Sequence, residues 1–226
     1  MAIIEFKGVT HRFGDRVVLD GIDLTLTEQR IGLVGANGSG KSTMARMING
    51  LVSPSAGAVT LDGLDTTTKG REVRRRVGFV FTDPDSQIVM PTVAEDVAFS
   101  LRKSGLAKAE IAERVAAALD RFGLAGHVDH PTHLLSGGQK QLLALAAVLI
   151  SGPDVVVADE PTTLLDLRNA RMVNDLLMGL PEQVVLVTHH LHLLTAFDRV
   201  VVLDSGRVVA DAAPTDAIAA YTGLLA

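Results

Sequence analysis

The 226-residue sequence contains no cysteine, which excludes a disulfide framework and a thiolate metal centre. It also lacks an apolar run able to cross a bilayer: the longest, Leu142 to Ile150, falls far short of the roughly 20 residues of a spanning helix. Nor does the start read as a secretory signal. Met1-Ala2-Ile3-Ile4-Glu5-Phe6-Lys7 has an acidic residue inside its short apolar segment and no cleavage-type region. Positive charge is in deficit: 21 Lys and Arg stand against 26 Asp and Glu, a net charge of −5, so no nucleic-acid partner is expected. No internal repeat, low-complexity tract or flexible linker is visible. If the protein serves a membrane, another chain must cross it.

A 47% hydrophobic content supports a sizeable core, and the length suits one large domain or a core with a smaller subdomain. Residues 2–30 alternate short β-like runs, Ala2–Val9, Arg16–Leu19 and Ile22–Leu26, with turn signals at Phe13-Gly14-Asp15 and Asp20-Gly21. These predict a small antiparallel sheet, to which Ala58–Leu61 adds a strand. The runs Ile31–Val34, Val77–Phe81, Val155–Ala158, Val184–Val187 and Val200–Leu203 lack alternation, as expected for strands buried on both faces of a parallel sheet. The fold class is therefore α/β. Between the second and third of these runs, roughly residues 88–150, helical character dominates. Its clearest helix is Lys108–Phe122, with Ile111, Val115, Leu119 and Phe122 on one stripe and Gly123 at the C-terminal cap. Residues 139–150 are too apolar for a surface helix and are expected to be buried against the sheet.

Within that frame, Gly35-Ala36-Asn37-Gly38-Ser39-Gly40-Lys41-Ser42-Thr43 follows the run Ile31–Val34. It leads into a helix on which Met44, Met47, Ile48 and Leu51 recur at helical spacing. A phosphate chain needs a concave nest of backbone N–H groups, and glycine lets the chain approach that closely. The helix start adds free N–H groups and its positive dipole end. Lys41 supplies a point charge for the β- and γ-phosphates, and the Ser42 hydroxyl is placed to coordinate Mg2+. The pattern is G-x-x-x-x-G-K-[ST], the Walker A phosphate loop, and it predicts Mg-nucleotide binding. Downstream, Val155-Val156-Val157-Ala158-Asp159-Glu160 is a buried strand ending in two adjacent carboxylates. In a nucleotide site Asp159 can hold the Mg2+ shell while Glu160 polarises the attacking water. A second small-residue loop, Leu135-Ser136-Gly137-Gly138-Gln139, opens a helix.

An L-S-G-G-Q segment between Walker A and Walker B motifs resembles the signature of ABC-type ATPases, and the resemblance covers essentially the whole chain. It implies one ABC ATPase domain over residues 1–226. Its parts would be a P-loop core with a parallel central sheet, a small antiparallel β-subdomain, and a helical subdomain inserted at roughly 88–150. Position by position, it implies that Phe13 stacks on the adenine of ATP and that Asn37, Gly38, Ser39, Gly40, Lys41, Ser42 and Thr43 bind its phosphates. Ser42 and Asp159 would hold Mg2+, Glu160 would be the catalytic base, and His189, directly after the strand Val184–Thr188, would contact the γ-phosphate. Asp166, in Thr163-Leu164-Leu165-Asp166, corresponds to a loop along a dimer interface. Ser136, Gly138 and Gln139 would complete the nucleotide site of the opposite protomer. A second ATPase protomer is thus an expected partner, with a homodimer the expected form.

Two positions depart from the family pattern. Thr82 stands where similar proteins carry a glutamine that senses Mg2+ and the attacking water, and Leu164 replaces a small residue. Gln87 carries the amide that Thr82 lacks, although relatives have a glutamine there too. The segment Gly78-Phe79-Val80-Phe81-Thr82-Asp83-Pro84-Asp85-Ser86-Gln87-Ile88-Val89, with Pro91-Thr92-Val93-Ala94-Glu95-Asp96-Val97-Ala98-Phe99 and Asn49-Gly50-Leu51, is similar to the ATPases of energy-coupling-factor importers. Those systems take up vitamins and transition-metal ions such as biotin, cobalt and nickel. The resemblance implies a transmembrane coupling subunit and a substrate-binding membrane subunit as partners, and a peripheral place on the cytoplasmic face of the cell membrane. The short chain points toward the biotin type. A conventional ABC importer subunit for another small solute is the alternative. A soluble ABC ATPase acting on ribosomes or DNA would carry tandem units, a charged linker or a coiled-coil insertion, and none is visible.

Other features read as structure. Lys69, Arg71, Arg74, Arg75 and Arg76 form a basic run without interleaved aromatics, a solvated face. His127, His130 and His133 have suggestive spacing for a metal, but Pro131 breaks any single helical face. His190 and His192 read as polar residues at a helix start. Asp204-Ser205-Gly206-Arg207 predicts a hairpin, and Ala217–Leu225 a short terminal helix behind Pro214-Thr215.

Overall fold

Alternation of apolar side chains builds the first two strands. In β1 (Ile4–Phe13) Ile4, Phe6 and Val9 are buried while Lys7 and Gly8 face out, and β2 (Arg16–Leu26) buries Leu19, Ile22, Leu24 and Leu26. These elements come from a computed structural model in which residues 1–225 are described. Arg16–Leu19 and Ile22–Leu26 are one strand, where the sequence suggests two. Between the pairs Val9↔Ile22 and His11↔Leu19 β2 carries one extra residue, and between Phe6↔Leu24 and Val9↔Ile22 β1 carries one. Asp20-Gly21 is thus absorbed as a bulge rather than a turn, and the ladder continues through it.

β3 (Arg30–Gly35) is buried along its whole length and feeds α1 (Lys41–Ile48), whose Met44, Ala45, Met47 and Ile48 are fully enclosed. β4 (Ala56–Leu61) and β5 (Leu64–Asp65) complete an antiparallel sheet in the order β2-β1-β4-β5. α2 (Gly70–Arg76) holds most of the basic run, and Arg76 at its end pairs with Asp62 and Asp154 before β6 (Val77–Val80). Then come α3 (Val93–Ser100), α4 (Lys108–Arg121) and α5 (Gly137–Leu149). α4 stops where Gly123 turns left-handed at φ 69°. β7 (Val155–Asp159), α6 (Leu167–Met178) and β8 (Gln183–Val187) follow. β9 (Arg199–Asp204), β10 (Arg207–Ala212) and α7 (Pro214–Leu224) end the described chain.

The chain forms two units. One comprises Met1–Phe79, Asp154–Glu160 and Leu180 onward; the other, Val80–Pro153 and Pro161–Gly179. In the first, the main sheet runs β10-β9-β3-β8-β7-β6, with β9, β3, β8 and β7 mutually parallel. It is mixed rather than wholly parallel, because the hairpin at Asp204–Arg207 adds β10 antiparallel to β9. In the second unit α5 is the buried helix, with Leu142, Leu143, Ala144, Leu145 and Ala146 enclosed, and its helical neighbours are α3, α4 and α6. Among the described residues no helix is long and apolar enough to cross a membrane.

Within the first unit Arg30 is buried and ties β3 to the segment before β8. Its guanidinium donates to Gln29 O at 3.1 Å, to Glu182 O at 2.8 Å and to Leu180 O. Arg30→Ala removes the donor that serves the Glu182 and Leu180 carbonyls, while Gln29 O keeps the Val184 N–H at 2.8 Å, so unfolding in urea is expected to show a loss of about 2–4 kcal/mol. Arg114→Ala, which removes an exposed helical pair to Glu110, should cost under about 0.5 kcal/mol in the same measurement.

Candidate active site

Strand order creates the site. β3, β8 and β7 are neighbours in that sequence, so the loop after β3, the residues after β8 and the end of β7 open at one carboxyl edge of the sheet. Ligands of open parallel sheets bind at that edge. Here it brings together the Walker A loop, His189, Asp159 and Glu160.

The loop is shaped by its backbone. Gly40 adopts φ 103°, and a Cβ there would strike Val18 O at 2.8 Å and Leu19 Cδ2 at 2.6 Å, so only glycine fits. α1 starts directly after it without a side-chain cap, leaving its first N–H groups for a ligand. Lys41 Nζ donates to Gly35 O at 2.8 Å and Ala36 O at 3.0 Å. Burial depresses the Lys41 pKa, a shift that nearby Glu160 and Asp159 oppose. Ser39 Oγ is buried without a hydrogen-bond partner among the described residues, an unmet polar atom inside the cradle.

A cavity of about 250 Å³ is lined by Phe13, Arg16, Val18, Asn37, Gly38, Gly40, Lys41, Ser42, Thr43 and Glu160. Phe13 stands at its rim, 58% exposed, with its ring edge-on to His11 at 4.6 Å. An exposed aromatic face beside a phosphate nest suits a nucleotide base. A larger open groove of about 710 Å³ along α6, lined by Leu167, Arg168, Arg171, Met172, Asp175 and Leu176, has neither a glycine loop nor an acid–base pair.

Ser42 Oγ donates to Asp159 Oδ1 at 2.8 Å, and Arg46 lies 3.4 Å from Oδ2. Asp159 is 1% exposed, and burial pushes its carboxyl pKa up, with Glu160 adding to the rise while Ser42, Arg46 and Lys41 oppose it. A hydroxyl and a buried carboxylate are hard oxygen donors and fit Mg2+. Glu160 next to it is left-handed at φ 50°, a costly backbone for a side chain with a Cβ, and its N–H donates to Val187 O at 2.9 Å. That turn sends its carboxylate toward the cavity, where Oε2 meets His189 Nδ1 at 3.2 Å. His190 packs against His189 with the rings tilted by 41° and their centroids 4.1 Å apart; partial burial lowers its pKa, as do its histidine neighbours.

The family profile described as ABC transporter matches residues 19–163. The chain belongs to the ABC transporter family. It is an ABC-type ATPase, and a protein of Deinococcus radiodurans named only as an ABC transporter ATP-binding protein is 52% identical over 219 residues, 97% of each chain. The biotin transport ATP-binding protein BioM of Rhizobium etli is 45% identical over 99% of both chains. The energy-coupling factor transporter ATP-binding protein EcfA1 of Symbiobacterium thermophilum is 44% identical over 94% of this chain and 80% of its own. Among solved structures, CbiO1 of Clostridium perfringens, part of the ABC transporter complex CbiONQ, superposes with TM-score 0.84 at 31% identity, covering 96% of this chain and 90% of that one.

The remaining residues named from this ABC resemblance lie in the second unit. Ser136 caps α5 in a capping box: its Oγ accepts from Gln139 N at 3.3 Å, and its own N–H donates to Gln139 Oε1 at 2.9 Å. Gly138 packs against α6, since a Cβ there would meet the Asn169 amide at 2.5 Å. Asp166 caps α6, accepting from Asn169 N at 2.8 Å and Nδ2 at 3.0 Å. The Gln87 amide oxygen accepts from Phe81 N at 3.3 Å, and its nitrogen donates to Ala144 O at 3.5 Å. Sequence reasoning missed Arg46, whose place one turn beyond Ser42 was the available signal, and Arg16, which faces Phe13 across the β1–β2 hairpin.

The raised Asp159 pKa has a defined sign. A carboxyl whose folded pKa exceeds its unfolded one stabilises the fold below the unfolded value and loses that contribution as pH rises through the folded value. Asp159→Asn is therefore expected to melt no lower than the parent at pH 7 without nucleotide. Its advantage should narrow as pH falls toward 4, which thermal melts across pH will check.

Proposed function

We propose that the chain is the ATP-hydrolysing subunit of an energy-coupling-factor importer. The observation that carries this is the joining of the Walker A loop, Ser42, Asp159, Glu160 and His189 at one sheet edge in a chain similar over nearly its whole length to BioM and EcfA1. Biotin is the favoured solute, because BioM matches end to end whereas EcfA1 extends beyond the match. Phe13 stacks the adenine, and the N–H groups of Asn37 to Thr43 hold the phosphates. Lys41 turns its ammonium from the Gly35 and Ala36 carbonyls to the phosphate oxygens. Ser42 and Asp159 hold Mg2+, which supplies charge neutralisation on the phosphates when bound.

Glu160 takes a proton from the attacking water. His189, in contact with the Glu160 carboxylate, orients it and reaches the γ-phosphate. Ser136, Gly138 and Gln139 complete the site of a second ATPase protomer, in a homodimer on this reading. ATP then acts as a ligand of the closed dimer, and its hydrolysis releases that state to move the membrane partners. Those partners are a coupling subunit and a substrate-binding subunit, with the ATPase peripheral on the cytoplasmic face.

Glu160→Gln is expected to keep ATP affinity while kcat falls about 100-fold or more, measured by phosphate release beside equilibrium nucleotide binding. Full turnover in that variant would remove Glu160 from the chemistry. Tagged protein drawn from gently solubilised native membranes should carry two different small integral membrane proteins, identified by mass spectrometry. Recovery of ribosomal or DNA-repair proteins with no membrane protein would contradict the importer assignment and leave the ATPase standing.

A further inference from the structure

One of the three histidines flanking Pro131 touches the signature loop. His127 ends a one-turn 3-10 segment, Ala125–His127, and its Nε2 lies 3.0 Å from Gln139 Nε2. Gln139 Oε1 accepts from the Ser136 N–H at 2.9 Å, which fixes which end of the amide is which, because an N–H cannot donate to an NH2. The NH2 therefore points at His127. A donor on that side requires Nε2 to accept, so the imidazole is neutral and carries its proton on Nδ1. That Nδ1 is buried with no hydrogen-bond partner among the described residues. A buried donor left unmet is unfavourable, so this tautomer is held at a cost by the contact on the other nitrogen.

The turn that carries the ring is held by its own backbone hydrogen bonds, independently of α5. His127 N donates to Leu124 O at 2.8 Å, and His130 N donates to His127 O at 2.9 Å. A fixed acceptor thus faces Gln139 from a separate turn. Without it, the Gln139 amide is free to rotate away from the Ser136 N–H, and the capping box that shapes Ser136-Gly137-Gly138 opens.

We propose that His127 is a positioning residue for the signature loop, holding the Gln139 amide so that Ser136 and Gly138 stay arrayed for nucleotide. This rests on the reading that the loop completes the partner protomer's ATP site. It acts through Gln139 and touches no substrate. A glutamine at the same position offers an acceptor oxygen; a phenylalanine fills the space without one.

The test uses the full chain with its co-purified membrane proteins for steady-state hydrolysis, and the full chain alone for ATP binding. His127→Phe is expected to lower kcat about 10-fold or more while ATP Kd stays within about twofold. His127→Gln should recover kcat to within about threefold of the parent, and His127→Phe with Gln139→Ala should be no slower than Gln139→Ala alone. Parental kcat in His127→Phe beside a slow Gln139→Ala would overturn the positioning role and leave the signature reading intact. Parental kcat in Gln139→Ala would overturn the signature reading and this inference with it. An equal loss in His127→Phe and His127→Gln would mean the ring acts by shape alone, which also overturns it.

Discussion

The hydrogen bond from Ser42 Oγ to Asp159 Oδ1 is the constraint on which the site depends. It joins the first turn of α1 to the last residue of β7, two elements more than a hundred positions apart in sequence. For that bond to form, β7 must lie one strand away from β3, with β8 between them, and the phosphate loop must turn sharply enough to place α1 over the sheet edge. The buried runs of β3, β8 and β7 enforce the first condition. Gly40, hard against Val18 and Leu19, enforces the second. Everything that could act on a phosphate is then within reach of one edge.

The same arrangement concentrates charge where water is excluded. Lys41 is held against its preference for solvent, Asp159 is buried with Arg46 as its cationic neighbour, and Glu160 sits on a left-handed backbone. Each of these costs folding energy, and the two buried charges are relieved by ligands of the right sign: phosphates for Lys41, a hard cation for Asp159. A site that is strained alone and satisfied when filled binds its ligand at the expense of its own stability. The histidines after β8 extend this, since His190 is half-buried beside His189 and its charged form is disfavoured.

Much of this was legible in the sequence, for reasons that vary by element. The doubly buried strands stood out because both faces are covered and alternation vanishes, and the phosphate loop because its glycines are geometrically required. The Asp20-Gly21 step misled, since bulges and turns draw on the same residues and only the pairing of β1 with β2 tells them apart. Strand order was invisible, because it is set by which apolar faces meet across the sheet. The bonds of the Gln87 amide to the Phe81 and Ala144 backbone and the contact of His127 with the Gln139 side chain were equally hidden, since they depend on how the chain folds back on itself and no sequence pattern marks them. The positive φ of Glu160 belongs with them: it follows from the Val187 contact, not from the residue type.

The most direct measurement is the structure of the Glu160→Gln chain with Mg2+ and ATP. The proposed ATPase site requires adenine on Phe13, the metal between Ser42 Oγ and the Asp159 carboxylate, the γ-phosphate beside position 160 and His189, and Ser136 of a second copy closing over it. Nucleotide seated elsewhere, such as along α6, or a metal with no bond to Ser42 or Asp159, would contradict it.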